Sequence, residues 1–159
     1  MGEHGSVNSF VMTPVGWVRS PRRDPGDTDH WAPVVSAIEV APRFGDECLT
    51  GLATFSHVEI VFVFDQVVER DDYRDLRPAR GRADMPEVGI FCSRGPNRPN
   101  RIGVSACRIV RVDGRELTVA GLDAVDGTPV LDIKPTMLQM LPNDVRQPAW
   151  VNVLLAGYH

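Results

Sequence analysis

Between Gly89 and Cys107 the chain reads GIFCSRGPNRPNRIGVSAC, with Arg94, Arg98 and Arg101 set among Pro96 and Pro99. A guanidinium presents a planar fork of donors that suits a carboxylate or a phosphate. Proline fixes φ and removes a backbone donor. The stretch therefore reads as a stiff loop built to hold an anion, or as a solvated, proline-stiffened connection. Three further groups have chemical potential. Asp126-Gly127-Thr128-Pro129 is a turn with a carboxylate at its start, and a plain tight turn is the alternative reading. Lys134, the single lysine, sits in Asp132-Ile133-Lys134-Pro135. It is read as a phosphate or substrate-carboxylate contact, as Asp132's partner, or as half of a structural ion pair. Asp132 reads as a general base or as the residue that orients one. His57 has the titration range of a general base, and a hydrogen-bonded core histidine is the alternative.

Missing motifs narrow the chemistry. No GxGxxG or P-loop provides a nucleotide cradle, and HExxH and GxSxG are lacking as well. The histidines are His4, His30, His57 and His159, and Cys48, Cys92 and Cys107 form no CxxC. No metal site is expected, and the cysteines read as buried, reduced thiols.

The elements that must position these residues are mostly short strands. Pro14–Arg19 and Ser36–Val40 read as strands flanking a polar segment, Ser20–Pro33. Arg43–Thr54 carries turn signals and a possible helical turn. His57–Val67 is a near-continuous apolar run, expected of a strand covered on both faces. Glu69–Glu87 reads as a mobile excursion or an irregular helix. Strands follow at Val88–Cys92 and Gly103–Val112, and Asp113-Gly114 signals a hairpin into Glu116–Gly121. Val130–Ile133 is a further strand, Pro135–Pro148 a loop, and Trp150–Leu155 an apolar stretch that packs back on the sheet. Many short strands between close turns argue a mainly β barrel or sandwich with few or no long helices.

At 159 residues the chain is the size of one domain, and 43% apolar with 24% charged residues is a globular balance. Residues 1–12 read as a flexible leader without a signal peptide's apolar core, and 13–159 as a single domain. The longest strong apolar run, Ile60–Phe64, is far short of a bilayer span. A cytoplasmic protein is expected. Net charge is −4, yet Arg70–Arg111 holds ten arginines against five acids, and Val88–Val112 five arginines and no acid. That asymmetry can make a basic face on an acidic protein. Arginines paired with acids from elsewhere are the alternative.

Four ordered pieces combine: PVGWVRSP, GLATFSHVEIVFVF, GIFCSRGPNRPNRIGVSACRI and GLDAVDGTPVLDIKP. Together they resemble the TrmO (TsaA-like) family of S-adenosylmethionine-dependent tRNA methyltransferases, from about Pro14 to Pro135. The resemblance implies a small β-barrel that works as a homodimer with S-adenosylmethionine as cofactor. It implies N6-methylation of threonylcarbamoyl-adenosine in a tRNA anticodon loop. Cofactor contacts would fall on Asp29, His30 and Trp31, on Asp65 and Gln66, on Arg94 and Val104, and on Asp126, Gly127, Thr128 and Pro129. Arg94 would take the cofactor carboxylate, while Asp65 and Asp126 would attract the sulfonium or accept a hydroxyl. Arg98, Arg101 and Lys134 are the candidate RNA contacts. His57, Asp132 and Lys134 are the candidate catalytic residues.

The pattern also departs from the family's. Asp65 replaces a common histidine, Arg101 replaces the second proline of RPNPIG, and Gly95-Pro96-Asn97 lacks an aromatic. Thr136 or Met137 stands where a tyrosine is usual after DIKP. Stacking on aromatics is a main mode of reading single-stranded RNA. Methylation of a small molecule and a non-enzymatic S-adenosylmethionine sensor therefore stand as alternatives.

Overall fold

The fold rests on side-chain alternation. In a strand, successive residues point to opposite faces, and His57–Val63 places Val58, Ile60 and Phe62 inside and fully buried. The computed structural model describes residues 9–68, 70 and 72–159. In chain order the strands are β1 (Gly16–Arg19), β2 (Val35–Val40), β3 (His57–Val63), β4 (Arg77–Pro78), β5 (Glu87–Val88), β6 (Ile102–Asp113), β7 (Glu116–Ala120) and β8 (Pro129–Pro135). Six of them close a barrel in the order β1-β2-β7-β6-β3-β8, and β4 and β5 pair separately. The barrel pairings are antiparallel, and Gly16 opposite Val130 shuts the ring. Closure leaves no barrel edge open.

The interior holds Val18, Ile38, Ile60, Phe62, Leu117, Val119, Leu122 and Val130, all at 0% exposure. Gly103 faces Phe62 so closely that a Cβ there would lie 2.5 Å from the ring. Only glycine lets β6 approach β3 at that level. The expected mainly β barrel is the fold found, and the sole α-helix among the described residues is α1 (Ala149–Leu154). No helix is long and apolar enough to cross a membrane.

Several local expectations are corrected. β3 ends at Val63, not Val67, and alternates between exposed and buried instead of being covered on both faces. The amide of Phe64 leaves the ladder for Arg101 O, and a turn begins at Asp65. Of Val88–Cys92 only Val88 lies in a strand, at the end of β5 opposite Arg77, and Ile90–Cys92 winds into a 3-10 turn. The described part of 69–87 has no α-helix. The hairpin after β6 turns at Gly114-Arg115, with Asp113 already paired to Glu116. Trp150–Leu155 is largely helical, and α1 buries no residue fully. Cys48 and Cys92 are exposed in turns, so only Cys107 is a buried thiol. Of the leader, residues 1–8 lie outside the described residues, and Phe10, Val11 and Met12 are exposed.

Candidate functional site

One end of the barrel is formed where β1 and β3 finish and β6 and β8 begin. The segment after β7 continues along β6 before crossing to β8. A circuit of hydrogen bonds ties the connections there together. The backbone amide of Ser20 donates to Asp126 Oδ1 at 3.0 Å, and Gln66 Nε2 donates to the Asp126 carbonyl at 3.2 Å. The Asp126 amide donates to Arg22 O at 2.8 Å. Arg22 donates to the carbonyls of Asp29 (2.5 Å) and His30 (2.8 Å), with its guanidinium 4.4 Å from the centre of the Trp31 ring. That cation–π contact covers the face of a buried tryptophan. The Gly127 amide donates to Val18 O, and Val18 in turn donates to Thr128 O. Gly127 sits at φ +82°, where a side chain would be strained.

The C-terminal tail completes the rim. His30 and Trp31 amides donate to Gly157 O and Tyr158 O at 2.9 and 3.0 Å. The Tyr158 hydroxyl donates to Asp123 Oδ2, and the Ser105 hydroxyl to Asp123 Oδ1. Burial and the neighbouring Asp123 carboxylate hold the Tyr158 phenol well above its usual value. Burial, with Asp123 adding to it, pushes the Cys107 thiol up to about 12. Arg94 Nη2 donates to Val104 O at 2.9 Å and leaves the rest of an exposed guanidinium available.

Of the candidate cofactor residues, Asp29, His30, Trp31, Gln66 and Asp126 to Pro129 are joined through this network. Arg94 and Val104 meet on the adjoining stretch of β6. Asp65 is exposed at the same end. Asp29 is already engaged, since Arg80 Nη1 and Nη2 both donate to its Oδ1 at 3.0 Å. Arg98 and Arg101 donate to Ser93 O (2.9 Å) and Val67 O (3.3 Å). Loop carbonyls with no strand partner recruit these guanidiniums. Arg101 adopts φ +50°, which proline cannot reach.

The candidate catalytic residues are not brought to this end. His57 starts β3, six residues from Val63, which places it about 20 Å away along the strand. It is exposed, with Ser56 Oγ 2.8 Å from Nδ1. Lys134 pairs with Asp132 at 2.7 Å on the outside of β8, and that hydrogen bond raises the lysine's pKa. The ion-pair reading of Lys134 is the one its geometry fits.

Two hollows bear on the site. One of about 440 Å³ is lined by Arg22 and the Gly26–His30 turn at the rim. A larger one of about 560 Å³ lies beside the 42–55 turns, walled mainly by apolar side chains such as Phe44, Leu49 and Phe55, with Asp132 at its border. The second is the larger, and the first has the charged lining, with Arg22, Asp27 and Asp29 around it. Among the described residues no group of three or more His, Cys, Asp or Glu is placed to hold a metal ion.

Sequence reasoning missed Arg22, Arg80, Ser105, Asp123 and Tyr158. Asp123 lies within GLDAVDG and was readable as part of that motif. Arg22, Arg80 and Tyr158 carry no spacing signal, because loop and tail closure brings them in.

A closed six-stranded β-barrel with a charged, hydrogen-bonded rim sets this chain apart from the Rossmann-type folds. Residues 18–140 match the tRNA-methyltransferase O N-terminal domain, and the chain belongs to that family. It is 36% identical over 140 residues to the tRNA (adenine(37)-N6)-methyltransferase of Escherichia coli, covering 81% of this chain and 58% of that protein. It is 32% identical over 150 residues to a probable S-adenosyl-L-methionine-binding protein of Pyrococcus abyssi, covering 92% of this chain and 77% of the relative. A crystal structure of TrmO from P. aeruginosa superposes with a TM-score of 0.73 at 29% identity, over 92% of this chain and 64% of that one. The chain spans only part of the length of several curated relatives: 55% of a putative S-adenosylmethionine-dependent methyltransferase of Pseudomonas aeruginosa, and 32% of an Archaeoglobus fulgidus protein.

Proposed function

We propose that this protein is an S-adenosylmethionine-dependent methyltransferase acting at N6 of threonylcarbamoyl-adenosine in a tRNA anticodon loop. The observation that carries the reading is the rim circuit, which joins the Asp29–Trp31, Gln66 and Asp126–Pro129 segments beside Arg94 in a chain of this family. The names of the bacterial and human relatives, tRNA (adenine(37)-N6)-methyltransferase, support the substrate.

The rim chemistry fits the cofactor. The uncommitted nitrogens of Arg94 suit its carboxylate. Asp126 Oδ2, with only Arg23 at 3.9 Å, and the exposed Asp65 suit its cationic and hydroxyl parts. A hollow of about 440 Å³ is within the range of small-molecule sites. When bound, S-adenosylmethionine supplies an electrophilic methyl group. The protein's share is orientation: the Arg22–Trp31 stack and the Asp126–Ser20 bond fix the walls against which cofactor and acceptor are aligned. Arg98 and Arg101 lie on the acid-free stretch that would meet phosphates. The same reading has the protein work in the cytoplasm as a homodimer. Phe91, 78% exposed on the turn before Arg94, offers apolar surface to a second copy.

The test combines calorimetry with S-adenosylmethionine and mass analysis of tRNA carrying threonylcarbamoyl-adenosine after incubation. A gain of one methyl group is expected. Arg94→Ala loses a charge-assisted hydrogen bond of about 1.5–3 kcal/mol, which weakens cofactor binding about tenfold to a hundredfold. Affinity for tRNA should fall steeply with salt. The binding-protein names of the archaeal relatives favour a sensor as the second reading, and cofactor binding without any transfer would select it. Salt-insensitive methylation of a small acceptor would select a metabolite methyltransferase.

A further inference from the structure

A carboxylate at the rim is held unlike its neighbours. Asp123 accepts the Ser105 hydroxyl on Oδ1 and the Tyr158 hydroxyl on Oδ2, and makes no ion pair among the described residues. Asp29, by contrast, is bonded twice by Arg80, and Asp126 takes the Ser20 amide with Arg23 nearby. The charge of Asp123 is thus left without a neutralising cation bonded to it, while its orientation is fixed from both sides. Ser105 follows Val104, whose carbonyl receives Arg94, so the pair stands next to the candidate cofactor contact. The tail backbone is anchored separately, by His30 to Gly157 and Trp31 to Tyr158. The phenol is therefore positioned by more than its own hydroxyl bond.

From this geometry we propose that Tyr158 is a catalytic residue that takes the proton of the methyl acceptor and passes its own to Asp123. The proposal rests on the methyltransferase reading given above. The acceptor nitrogen forms its bond to the methyl carbon as the carbon–sulfur bond breaks and that electron pair goes to sulfur. The nitrogen's proton moves to a lone pair of Tyr158 Oη. The hydrogen already shared along Oη–H···Oδ2 moves to Asp123, which ends as the neutral acid. A positive sulfonium and a carboxylate become a neutral thioether and a carboxylic acid, so charge balances. Such a relay needs a phenol that keeps its hydrogen until the transfer. The groups facing Tyr158 are Asp123, Arg94, the Arg80 guanidinium 5.9 Å from the ring centre, and His159, whose ring lies edge-on at 4.7 Å. Burial and Asp123 outweigh the two arginines and keep the hydroxyl protonated. Ser105 is a positioning residue that holds the far oxygen of Asp123.

The full chain is compared with Tyr158→Phe and Asp123→Asn by three measurements: S-adenosylmethionine calorimetry, tRNA methylation kinetics, and ultraviolet titration of the phenols without ligand. Tyr158→Phe should bind S-adenosylmethionine within about twofold of wild type, with KM for tRNA little changed and kcat reduced about 10²- to 10⁴-fold, the range of general acid–base catalysis. Asp123→Asn should lower kcat and bring the Tyr158 titration down toward that of an ordinary tyrosine. An active wild type with an equally active Tyr158→Phe overturns the relay alone. So does a Tyr158 titration that Asp123→Asn leaves unmoved. A wild type that transfers no methyl group to any acceptor overturns the relay and the methyltransferase reading together.

Discussion

Replacing Asp126 separates what its hydrogen bond does from what its charge does. Asp126→Ala removes the acceptor for the Ser20 amide, a 3.0 Å bond at a residue only 8% exposed. An orphaned donor in such a place costs about 1–3 kcal/mol. The Arg23 ion pair adds under about 1 kcal/mol, because it spans 3.9 Å and Arg23 is 83% exposed. The bonds from Gln66 and to Arg22 use the main chain of residue 126 and survive the change. The net loss is therefore about 1–3 kcal/mol, and Tm should fall about 2–4 °C for each of them in a domain this size. Asp126→Asn keeps an oxygen at Oδ1 and should stay within about 1 kcal/mol of wild type. Both variants lose the carboxylate, so both should weaken S-adenosylmethionine binding. Urea unfolding measures the first effect, and calorimetry on the folded proteins the second. An Asn variant as unstable as the Ala variant would refute the reasoning, since charge and not the Ser20 bond would then be holding the rim. So would an Ala variant as stable as wild type.

Thiol reactivity should divide by burial. At pH 8 the native protein should take iodoacetamide at Cys48 and Cys92 only, and at Cys107 as well once unfolded, because burial raises the Cys107 pKa to about 12 and leaves almost no thiolate; mass spectrometry counts the adducts. Stability should also fall at high pH. The folded Tyr158 phenol keeps its proton above pH 10, where an unfolded tyrosine loses it. The unfolded chain then binds fewer protons, so unfolding becomes easier as pH rises beyond about 10. Tyr158→Phe should flatten part of that decline in urea unfolding between pH 9 and 11, and the share due to Cys107 should remain.

How much of this was legible in the sequence depended on whether a residue's neighbours were local. The barrel could be read because many short apolar runs lie between close turn signals, with Asp113-Gly114 between two of them. The strand at Val88–Cys92 was misread because apolar content says nothing about whether a partner ladder exists, and here the β4–β5 ladder stops at Val88. His57–Val67 was read as covered on both faces because aromatic and β-branched residues fill both. The closed barrel buries only one of them.

At the site the division is the same. Asp126-Gly127-Thr128-Pro129 announces its own turn, and Arg94 and Val104 lie ten residues apart in one hairpin mouth. The partners of Asp123 come from β6 and from the tail, 18 and 35 residues away, and no periodicity links them. Lys134 and His57 drew attention by being rare or titratable, yet strand geometry carries both to the far end of β3 and β8. Residue type marks what a side chain is able to do, but barrel closure decides which of them share a rim. Here closure leaves the one described rim carboxylate held by two neutral hydroxyls beside Arg94, a position in which a proton acceptor is usable and a neutralised ion pair is not.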